Sequence, residues 1–244
     1  MLFLEWLAPF ARSEQKKSHR VFLHLGLSLM NSVILYLTLA RATYAAVLYT
    51  QQHQWGLTHL LGLSGGIEIL ASVIALDLWD YWMHLANHRI SFLWRFHKAH
   101  HSDMEVDVTT ASRFHIGELL ISGGSKCLMI LVWGPSLWGL VVFEAILTTA
   151  SQFHHSNLNI PLRLQDGIEK IIVTPRMHRC HHALHPNCVN TNFSTILSVW
   201  DRLFQTYHWG REIQELSPIG VFKPRGSVTM NLRAILLTPV KEIE

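Results

Sequence analysis

The sequence is short of charged residues. Asp, Glu, Lys and Arg make up 15% of its 244 residues, whereas about a quarter of a typical soluble domain is charged. Hydrophobic residues make up 49%, which is too many for an intrinsically disordered chain. The formal net charge of only +3 gives no indication of a nucleic-acid partner. The composition therefore argues against an ordinary soluble domain.

Several common site motifs are also absent. The three cysteines are too few for a disulfide framework. The sequence has no H-E-x-x-H, which excludes a zinc-protease helix, and no E-x-x-H, which weighs against a ferritin-like carboxylate-bridged di-iron bundle. It has no Rossmann or flavin fingerprint, so any electrons must come from another protein.

Residues 1–10 are apolar, but no basic segment precedes them and no small-residue cleavage site follows, so they do not resemble a secretory signal peptide. We expect this segment to anchor the chain at a membrane surface. Trp6 would then lie at the boundary, with a basic group behind it: Arg12, Lys16, Lys17 and Arg20.

Three apolar stretches predict helices in a membrane. Residues 21–40 contain no charged residue and have about the 20 residues that cross a bilayer core. Residues 61–83 are a second predicted span, and residues 116–150 are barely long enough for two crossings, which favours a helical hairpin. Because residues 42–66 contain no Lys or Arg beyond the first span, the positive-inside rule places the 42–60 loop outside and both flanks in the cytoplasm.

Histidine is the abundant residue. The chain has 17 histidines, and nine of them fall in the windows 84–101 and 178–185. Imidazole is neither a good core group nor a reliable surface charge at neutral pH, so clustering on this scale indicates a metal site.

Asp77, Asp80, His84 and His88 follow one another at spacings of three and four residues, which places them on one stripe of a helix. Two histidines one turn apart can hold one metal ion. An aspartate one turn earlier can hydrogen-bond an imidazole and fix its tautomer. We expect Asp80 to have this role.

Two H-x-x-H-H boxes follow, the first at His97, His100 and His101 and the second at His178, His181 and His182. With His84 and His88 they supply eight imidazoles, whereas one zinc-type ion takes about four ligands. The count therefore predicts two metal ions that share the eight rings.

Further ligands are expected near the ends of the apolar hairpin, where His155 is the first candidate and His115 and His154 are others. A small zinc knuckle built from Cys180, His181, His182 and Cys188 is an alternative, but it leaves six upstream histidines unexplained. His185 follows the second box, and we expect it to be solvated or to contact a ligand rather than the metal. The remaining histidines have no partner in sequence, and we expect structural roles for them: His19, His24, His53, His59 and His208.

These motifs occur in an order that resembles the fatty acid hydroxylase/sterol desaturase superfamily of membrane histidine-box di-iron oxygenases. The resemblance covers roughly residues 70–210, including Thr174–His182 and the closing Trp200–Tyr207. It implies nine metal ligands: His84, His88, His97, His100, His101, His155, His178, His181 and His182.

The resemblance also implies a reaction and its partners. Two ferrous ions and O₂ would hydroxylate or desaturate an unactivated C–H of a lipid, such as a sterol or fatty acyl chain. Electrons would come from an external donor, either a cytochrome b5-like protein or a ferredoxin with its reductase. No catalytic side chain beyond the metal ligands is implied.

The expected fold class is all-α, a multi-pass membrane helical bundle with a cytoplasmic helical cap that carries the histidine-rich dimetal site. We expect an N-terminal anchor and first span with its outer loop (1–60), a catalytic region (61–210) and a C-terminal tail (211–244). The alternative to an enzyme is a non-enzymatic membrane metal-binding or transport protein. That alternative predicts ligands spread along a path through the spans.

Overall fold

The computed structural model describes residues 1–11, 17–210, 219 and 231–240. These residues form eleven α-helices and one 3₁₀-helix (Val108–Ser112) but, within the described ranges, no β-strand. The α-helices are α1 (Leu2–Leu7), α2 (Lys17–Gln52), α3 (Leu57–Leu60), α4 (Gly65–Arg89), α5 (Ser91–His101), α6 (Ile116–Trp133), α7 (Leu137–His154), α8 (Leu162–Ile168), α9 (Pro175–His182), α10 (Val199–Leu203) and α11 (Leu232–Leu237). The prediction of an all-α fold is confirmed for the described part of the chain.

Three helical segments are long and apolar enough to cross a membrane: Ser18–Leu60, Gly65–Arg89 and Ile116–Trp133. The first two contain most of the spans predicted at 21–40 and 61–83. The third is the outgoing limb of the predicted hairpin, and its returning limb, α7, is not among the three. Gly134, Pro135 and Ser136 form the short connection between the two limbs.

The first helix is longer than expected. α2 runs for 36 residues, or about 54 Å at a rise of 1.5 Å per residue, against a bilayer core of about 30 Å. Residues 42–52, predicted as part of an outer loop, are therefore helical. No Gly or Pro occurs between Gly26 and Gly56, so no residue in this stretch favours an earlier end to the helix.

The long helices pack in two pairs, with α6 against α2 and α7 against α4. The two limbs of the hairpin thus rest on different partners. Between the pairs lies a core of apolar side chains, each less than a tenth exposed: Ala46, Val47, Val73, Leu76, Ile130, Leu140, Phe143 and Ile196. This bundle gives α4 a fixed position from which its C-terminal end presents histidines.

At one end of the bundle, the chain before α3 crosses the turn after α6 at very close range. Gly134 ends α6 with φ +76°, and a Cβ there would lie 2.5 Å from the Trp55 carbonyl oxygen. The Thr58 hydroxyl donates a short hydrogen bond to the Gly134 carbonyl, and the Gln51 amide donates to the same oxygen at 3.3 Å. Only glycine fits this crossing, because it has no Cβ and tolerates positive φ.

At the opposite end of the bundle, Arg20 does not flank the membrane anchor as expected. It is 5% exposed and makes ion pairs with Asp103 at 3.1 Å, Glu105 at 2.9 Å and Asp107 at 3.2 Å. A buried guanidinium needs compensating carboxylates, and the segment after α5 provides three. Arg20 therefore ties α2 to the segment that follows the first histidine box. Arg12 and Lys16 lie outside the described residues.

The two terminal helices also pack onto this end. On α1, Leu2, Phe3, Leu4, Trp6 and Leu7 are exposed, whereas Glu5 is 1% exposed and accepts hydrogen bonds from the backbone of Val108 and Asn157. Near the C-terminus, Ile235 on α11 is fully buried against Leu27 and Ala99. Within the described residues, the predicted C-terminal tail therefore includes a helix that joins the bundle.

We expect Gly134→Ala to destabilise the protein by about 1–3 kcal/mol, because the added methyl group must displace backbone at a positive φ. Gly124→Ala is the matched control on the same helix, where a Cβ meets nothing within 4 Å. It should stabilise α6 by about 0.5–1 kcal/mol. Unfolding of both purified variants in the same detergent measures the difference, and equal stabilities would contradict the close crossing.

Candidate metal centre

The structure brings all nine predicted ligand residues into two adjacent groups. In each group, one side-chain nitrogen per ring lies within 4.8 Å of every other. The first histidine group is His84, His88, His97, His101 and His181, and the second histidine group is His100, His155, His178 and His182. The two groups also touch each other, since the His101 and His182 ring centroids are 4.3 Å apart.

Four helices position these rings. α4 contributes His84 and His88 one turn apart, and α7 ends at the residue before His155. α5 and α9 contribute rings to both groups, because the H-x-x-H-H spacing directs neighbouring histidines to different sides of a helix. The break between α4 and α5 is the single extended residue Ile90, which lets α5 turn back toward α4.

α9 is a short helix with a well-defined start. The Thr174 hydroxyl accepts a hydrogen bond from the Met177 backbone N–H, and Pro175 occupies the first helical position. All eight residues of α9 are buried. The helix that presents His178, His181 and His182 is thus fixed by packing as well as by its cap.

Five of the nine rings have Nδ1 within hydrogen-bonding distance of an accepting oxygen. A carbonyl or carboxylate oxygen has no proton to give, so Nδ1 carries the hydrogen and Nε2 keeps its lone pair. The five contacts, with the ring first, are His84 with the Phe193 carbonyl (2.7 Å), His97 with the Glu118 carboxylate (2.6 Å), His100 with the Arg113 carbonyl (3.2 Å), His155 with the Ser151 carbonyl (2.8 Å) and His181 with the Thr191 carbonyl (2.7 Å).

The contact between His100 and His155 shows that the interior of the centre fits a cation. Their Nε2 atoms lie 3.1 Å apart, yet both rings donate through Nδ1 to carbonyl oxygens. Two lone pairs at this distance repel, and no proton is left to share between them. The first group has the same need, because Nε2 of His88 and of His97 is buried without a hydrogen-bond partner. A metal ion that accepts these lone pairs satisfies both groups.

Burial also favours the neutral form of six of these rings. Desolvation lowers the pKa of His181 to about 3 and the pKa of His155 to about 4. The same cause lowers the pKa well below the ordinary value of 6.5 for His100, His101, His178 and His182. Neutral imidazole is the form that binds transition metals, and an all-nitrogen donor set suits iron far better than Mg²⁺ or Ca²⁺, which prefer oxygen.

The loop after α9 is held by a buried carboxylate on α4. Asp77 is fully buried and accepts hydrogen bonds from the backbone N–H groups of Ile196 and Leu197, each at 3.1 Å, and from the Trp200 indole at 2.7 Å. Asp77 thus anchors this loop, a role that its place on the histidine stripe did not predict.

A second buried carboxylate acts on the same loop. Asp201 accepts hydrogen bonds from the backbone N–H groups of Phe193 at 2.7 Å and Ser194 at 2.9 Å. These bonds fix the peptide whose carbonyl oxygen receives the Nδ1–H of His84. The orientation of His84 therefore depends on a carboxylate more than 100 residues away in sequence.

The contacts of Asp80 differ from the prediction. The charged groups near it are Lys126 on α6 and Glu144 on α7, which hydrogen-bond each other at 2.9 Å. The carboxylate that holds an imidazole is Glu118, at 2.6 Å from His97. Glu118 is an acidic residue in an apolar stretch, and such residues mark function. The sequence interpretation did not use this feature. The distance of Glu118 along the chain from His97 concealed the pairing.

The other two candidate ligands, His115 and His154, lie outside both groups. His115 caps α6, where Nδ1 accepts from the Gly117 N–H at 2.9 Å and Nε2 lies 3.3 Å from the Leu236 carbonyl. Both of its ring nitrogens are therefore engaged. His154 directs Nδ1 to the Thr195 carbonyl at 3.1 Å.

A third group of donors lies beside the histidine centre. Cys180, Cys188 and His208 have their donor atoms within 4.8 Å of one another, and we call them the thiol cluster. The zinc knuckle considered from the sequence would have used His181 and His182 instead, but those rings belong to the histidine groups. His208, expected to be merely structural, is thus part of a donor set.

Comparison with known proteins bears on this arrangement. A family model described as fatty acid hydroxylase matches residues 69–206, which is more than half of the chain. The chain belongs to the fatty acid hydroxylase family. The match begins in α4 and ends after α10, so it includes every ring of both histidine groups.

Several curated proteins resemble this member of the fatty acid hydroxylase family. Alkylglycerol monooxygenase from Danio rerio is 31% identical over 62% of the chain and 33% of its own length. Ornithine lipid hydroxylase from Rhizobium tropici is 28% identical over 58% of the chain and 42% of its own length. Methylsterol monooxygenase 1 from Danio rerio is 31% identical over 53% of the chain and 43% of its own length. The matched part is thus less than half of each relative, and no solved structure matches the chain.

We expect Glu118→Gln to weaken metal binding by about 10–100-fold, since losing the group that orients a ligating imidazole typically has this effect. Asp80→Asn, the matched change on the neighbouring helix, should retain near-normal metal affinity because it removes no described contact to a ring. Titration of each metal-free variant with Fe²⁺ under anaerobic conditions checks both. The assignment of Glu118 would be wrong if the Asp80 variant lost the metal and the Glu118 variant kept it.

Proposed function

We propose that the chain is a membrane di-iron monooxygenase that hydroxylates an unactivated C–H of a lipid, using O₂ and electrons from another protein. The observation that carries this proposal is the arrangement of nine imidazoles in two touching groups, with the His100 and His155 lone pairs facing each other at 3.1 Å. Two cations, one per group, account for that arrangement.

The first histidine group would hold one iron ion and the second histidine group the other. When bound, such an iron pair supplies the electron transfers that activate O₂ for oxidation of a C–H bond. The remaining work belongs to the protein. Its carbonyls and Glu118 keep the Nδ1 protons of five rings in place, and so the Nε2 lone pairs of these rings stay available to an ion.

Exclusion of water is a second contribution of the chain. Seven of the nine rings are nearly fully buried, and His84 and His88 are partly buried. A dry site protects reactive oxygen chemistry from side reactions with solvent.

A lipid substrate fits the surface of the bundle. Large apolar side chains on α2 face outward, including Phe22 at 80% exposure and Leu29 at 68%, as expected for a helix against acyl chains. The histidines of α4 lie at its last two turns, so the centre would sit at the rim of the membrane. We place that rim on the cytoplasmic side, because residues 42–66 carry no basic residue.

The names of the relatives support hydroxylation rather than desaturation, since they are described as monooxygenases and a hydroxylase. Their substrates differ, but each is an amphiphile with a polar part and a hydrocarbon part. We therefore propose a lipid with a polar head as substrate. The electron donor would be a cytochrome b5-like protein or a ferredoxin with its reductase, because the sequence has no flavin or nicotinamide motif.

A membrane metal carrier is the alternative function. A carrier needs binding groups at successive depths along a route through the bilayer. Here the nine rings form two touching groups at one end of the bundle, which favours a resident pair of ions. Among the described residues, no series of metal-binding groups follows the spans from one side to the other.

Membranes that contain the protein, a suitable reductase and ¹⁸O₂ should convert a class of lipid to a product that carries one ¹⁸O atom. Mass spectrometry of the extracted lipids measures the label. The variant His53→Ala should behave like the unchanged protein, because His53 is exposed and lies in the turn just after the end of α2, away from the centre. Absence of label with a fully iron-loaded protein and several donor systems would argue against an oxygenase.

We expect two iron ions per chain after anaerobic purification, and substitution in either group should disturb the pair. His181→Ala removes a ring of the first group, and His100→Ala removes a ring of the second. Each should lower the iron content toward one ion and abolish lipid oxidation, while both proteins still insert into membranes. Elemental analysis and the ¹⁸O assay give the result. If His181→Ala kept full activity and two ions, α9 would not serve the first group.

A further inference from the structure

The thiol cluster is built from three separate parts of the chain. Cys180 lies on α9, Cys188 lies in the turn that follows, and His208 comes after α10. Both cysteines are fully buried, and they are not joined in a disulfide. Two thiols and an imidazole converge here within 4.8 Å, outside the nine rings already described.

The backbone around the thiol cluster is held in place by specific contacts. The fully buried Asn192 side chain donates to the carbonyls of Met177 at 3.0 Å and His208 at 2.9 Å, and it accepts from the His208 N–H at 2.8 Å. One amide thus joins α9 directly to the His208 backbone. These hydrogen bonds fix the distance between α9, which carries Cys180, and the segment that carries His208.

A glycine allows the closest approach of these segments. Gly210 has φ +62°, and a Cβ at that position would lie 2.9 Å from the Cys180 Cβ and 3.4 Å from its Sγ. Any other residue would be strained and would push the His208 segment away from α9. The close approach of the His208 segment to Cys180 is therefore set by the backbone and does not depend only on the side-chain rotamers.

The chemistry of this donor set differs from that of the histidine centre. Thiolate is a soft ligand that selects Zn²⁺ or Cu⁺ over Mg²⁺ and Ca²⁺, and two cysteines with one histidine form a known three-ligand set for zinc. Two thiolates also neutralise a divalent ion, which reduces the cost of burying its charge. Since His208 is partly exposed, an ion could enter from its side and keep a water molecule as fourth ligand.

We propose that Cys180, Cys188 and His208 form a third metal site, which binds one zinc ion through two thiolates and one imidazole. This site is separate from the pair of ions proposed above and does not depend on it. On binding, the two thiols lose their protons to solvent, and no oxidation or reduction takes place.

A zinc ion there would also stabilise the orientation of one ring of the histidine centre. The Thr191 hydroxyl and backbone N–H donate to the Cys188 carbonyl at 2.7 Å and 3.2 Å. The Thr191 carbonyl in turn accepts from His181 Nδ1 at 2.7 Å. An ion that fixes Cys188 therefore fixes the turn that holds His181, and we assign the thiol cluster a positioning role.

X-ray absorption at the zinc edge tests the site in the full-length protein, purified after growth with both iron and zinc. We expect one zinc ion per chain, with two sulfur neighbours at about 2.3 Å. The histidine groups contain no sulfur, so this signature reports only on the thiol cluster even if zinc also enters the iron sites. A zinc edge with nitrogen and oxygen neighbours alone would overturn the proposal, as would a Cys180–Cys188 disulfide in the purified protein.

Variants of two cysteines provide the matched comparison. Cys188→Ser should remove the zinc–sulfur signature, whereas Cys127→Ser, which changes a thiol that contacts Thr43 on α2, should keep it. Sulfur neighbours that persist unchanged in the Cys188 variant would contradict the site. Since the first measurement needs no substitution, the proposal stays testable if the Cys188 variant does not fold. Failure of the oxygenase assay with an intact zinc–sulfur signature would count against the proposed function alone.

Discussion

The constraint on which the rest of this structure depends is the packing of nine imidazole rings into two touching groups, with seven of the rings nearly fully buried. Neutral imidazole is tolerated inside a protein only when both nitrogens are satisfied. Here the outer nitrogens of five rings meet carbonyl or carboxylate oxygens, which leaves the inner nitrogens facing inward without protons. Cations are the groups that suit such an arrangement of lone pairs. The helices, the loop after α9 and the buried carboxylates all serve to keep those outer contacts in place.

Holding the rings requires contacts between distant parts of the chain. Asp77 and Asp201 fix the loop that orients His84. Arg20 fixes the segment between α5 and α6, because it pairs with three carboxylates of that segment. Such groups are expensive to bury unless fully paired, and removing one partner typically costs several kcal/mol. Geometric accuracy at the centre is thus secured by polar contacts rather than by the apolar packing that holds the long helices together. The same logic extends to the thiol cluster, where one asparagine amide joins two donor segments.

Sequence reasoning identified the family and predicted the helical fold because both follow from local signals. The H-x-x-H-H spacing places imidazoles on adjacent faces of a helix, and an uncharged run of about 20 residues predicts a span. The outer contacts could not be predicted in the same way. Four of the five orienting oxygens are backbone carbonyls, at Arg113, Ser151, Thr191 and Phe193, and any residue type supplies a carbonyl. Asp80 was assigned by helical spacing. Spacing alone does not show whether the side chain faces an imidazole or the charged groups of a neighbouring helix, as Asp80 does with Lys126 and Glu144. The burial of Arg20 likewise depends on partners more than 80 residues away.

The unequal division of the two histidine groups has a consequence for how the protein is made. The first group takes four of its five rings from residues 84–101, whereas the second takes three of its four from residues 155–182. His101 and His181 are 80 residues apart, which corresponds to roughly 4–16 s of translation at about 5–20 residues per second. During that interval the nascent chain displays four imidazoles with no partner from α9. The first histidine group is thus nearly complete in the nascent chain before α9, which supplies His181 and two rings of the second group, has been synthesised.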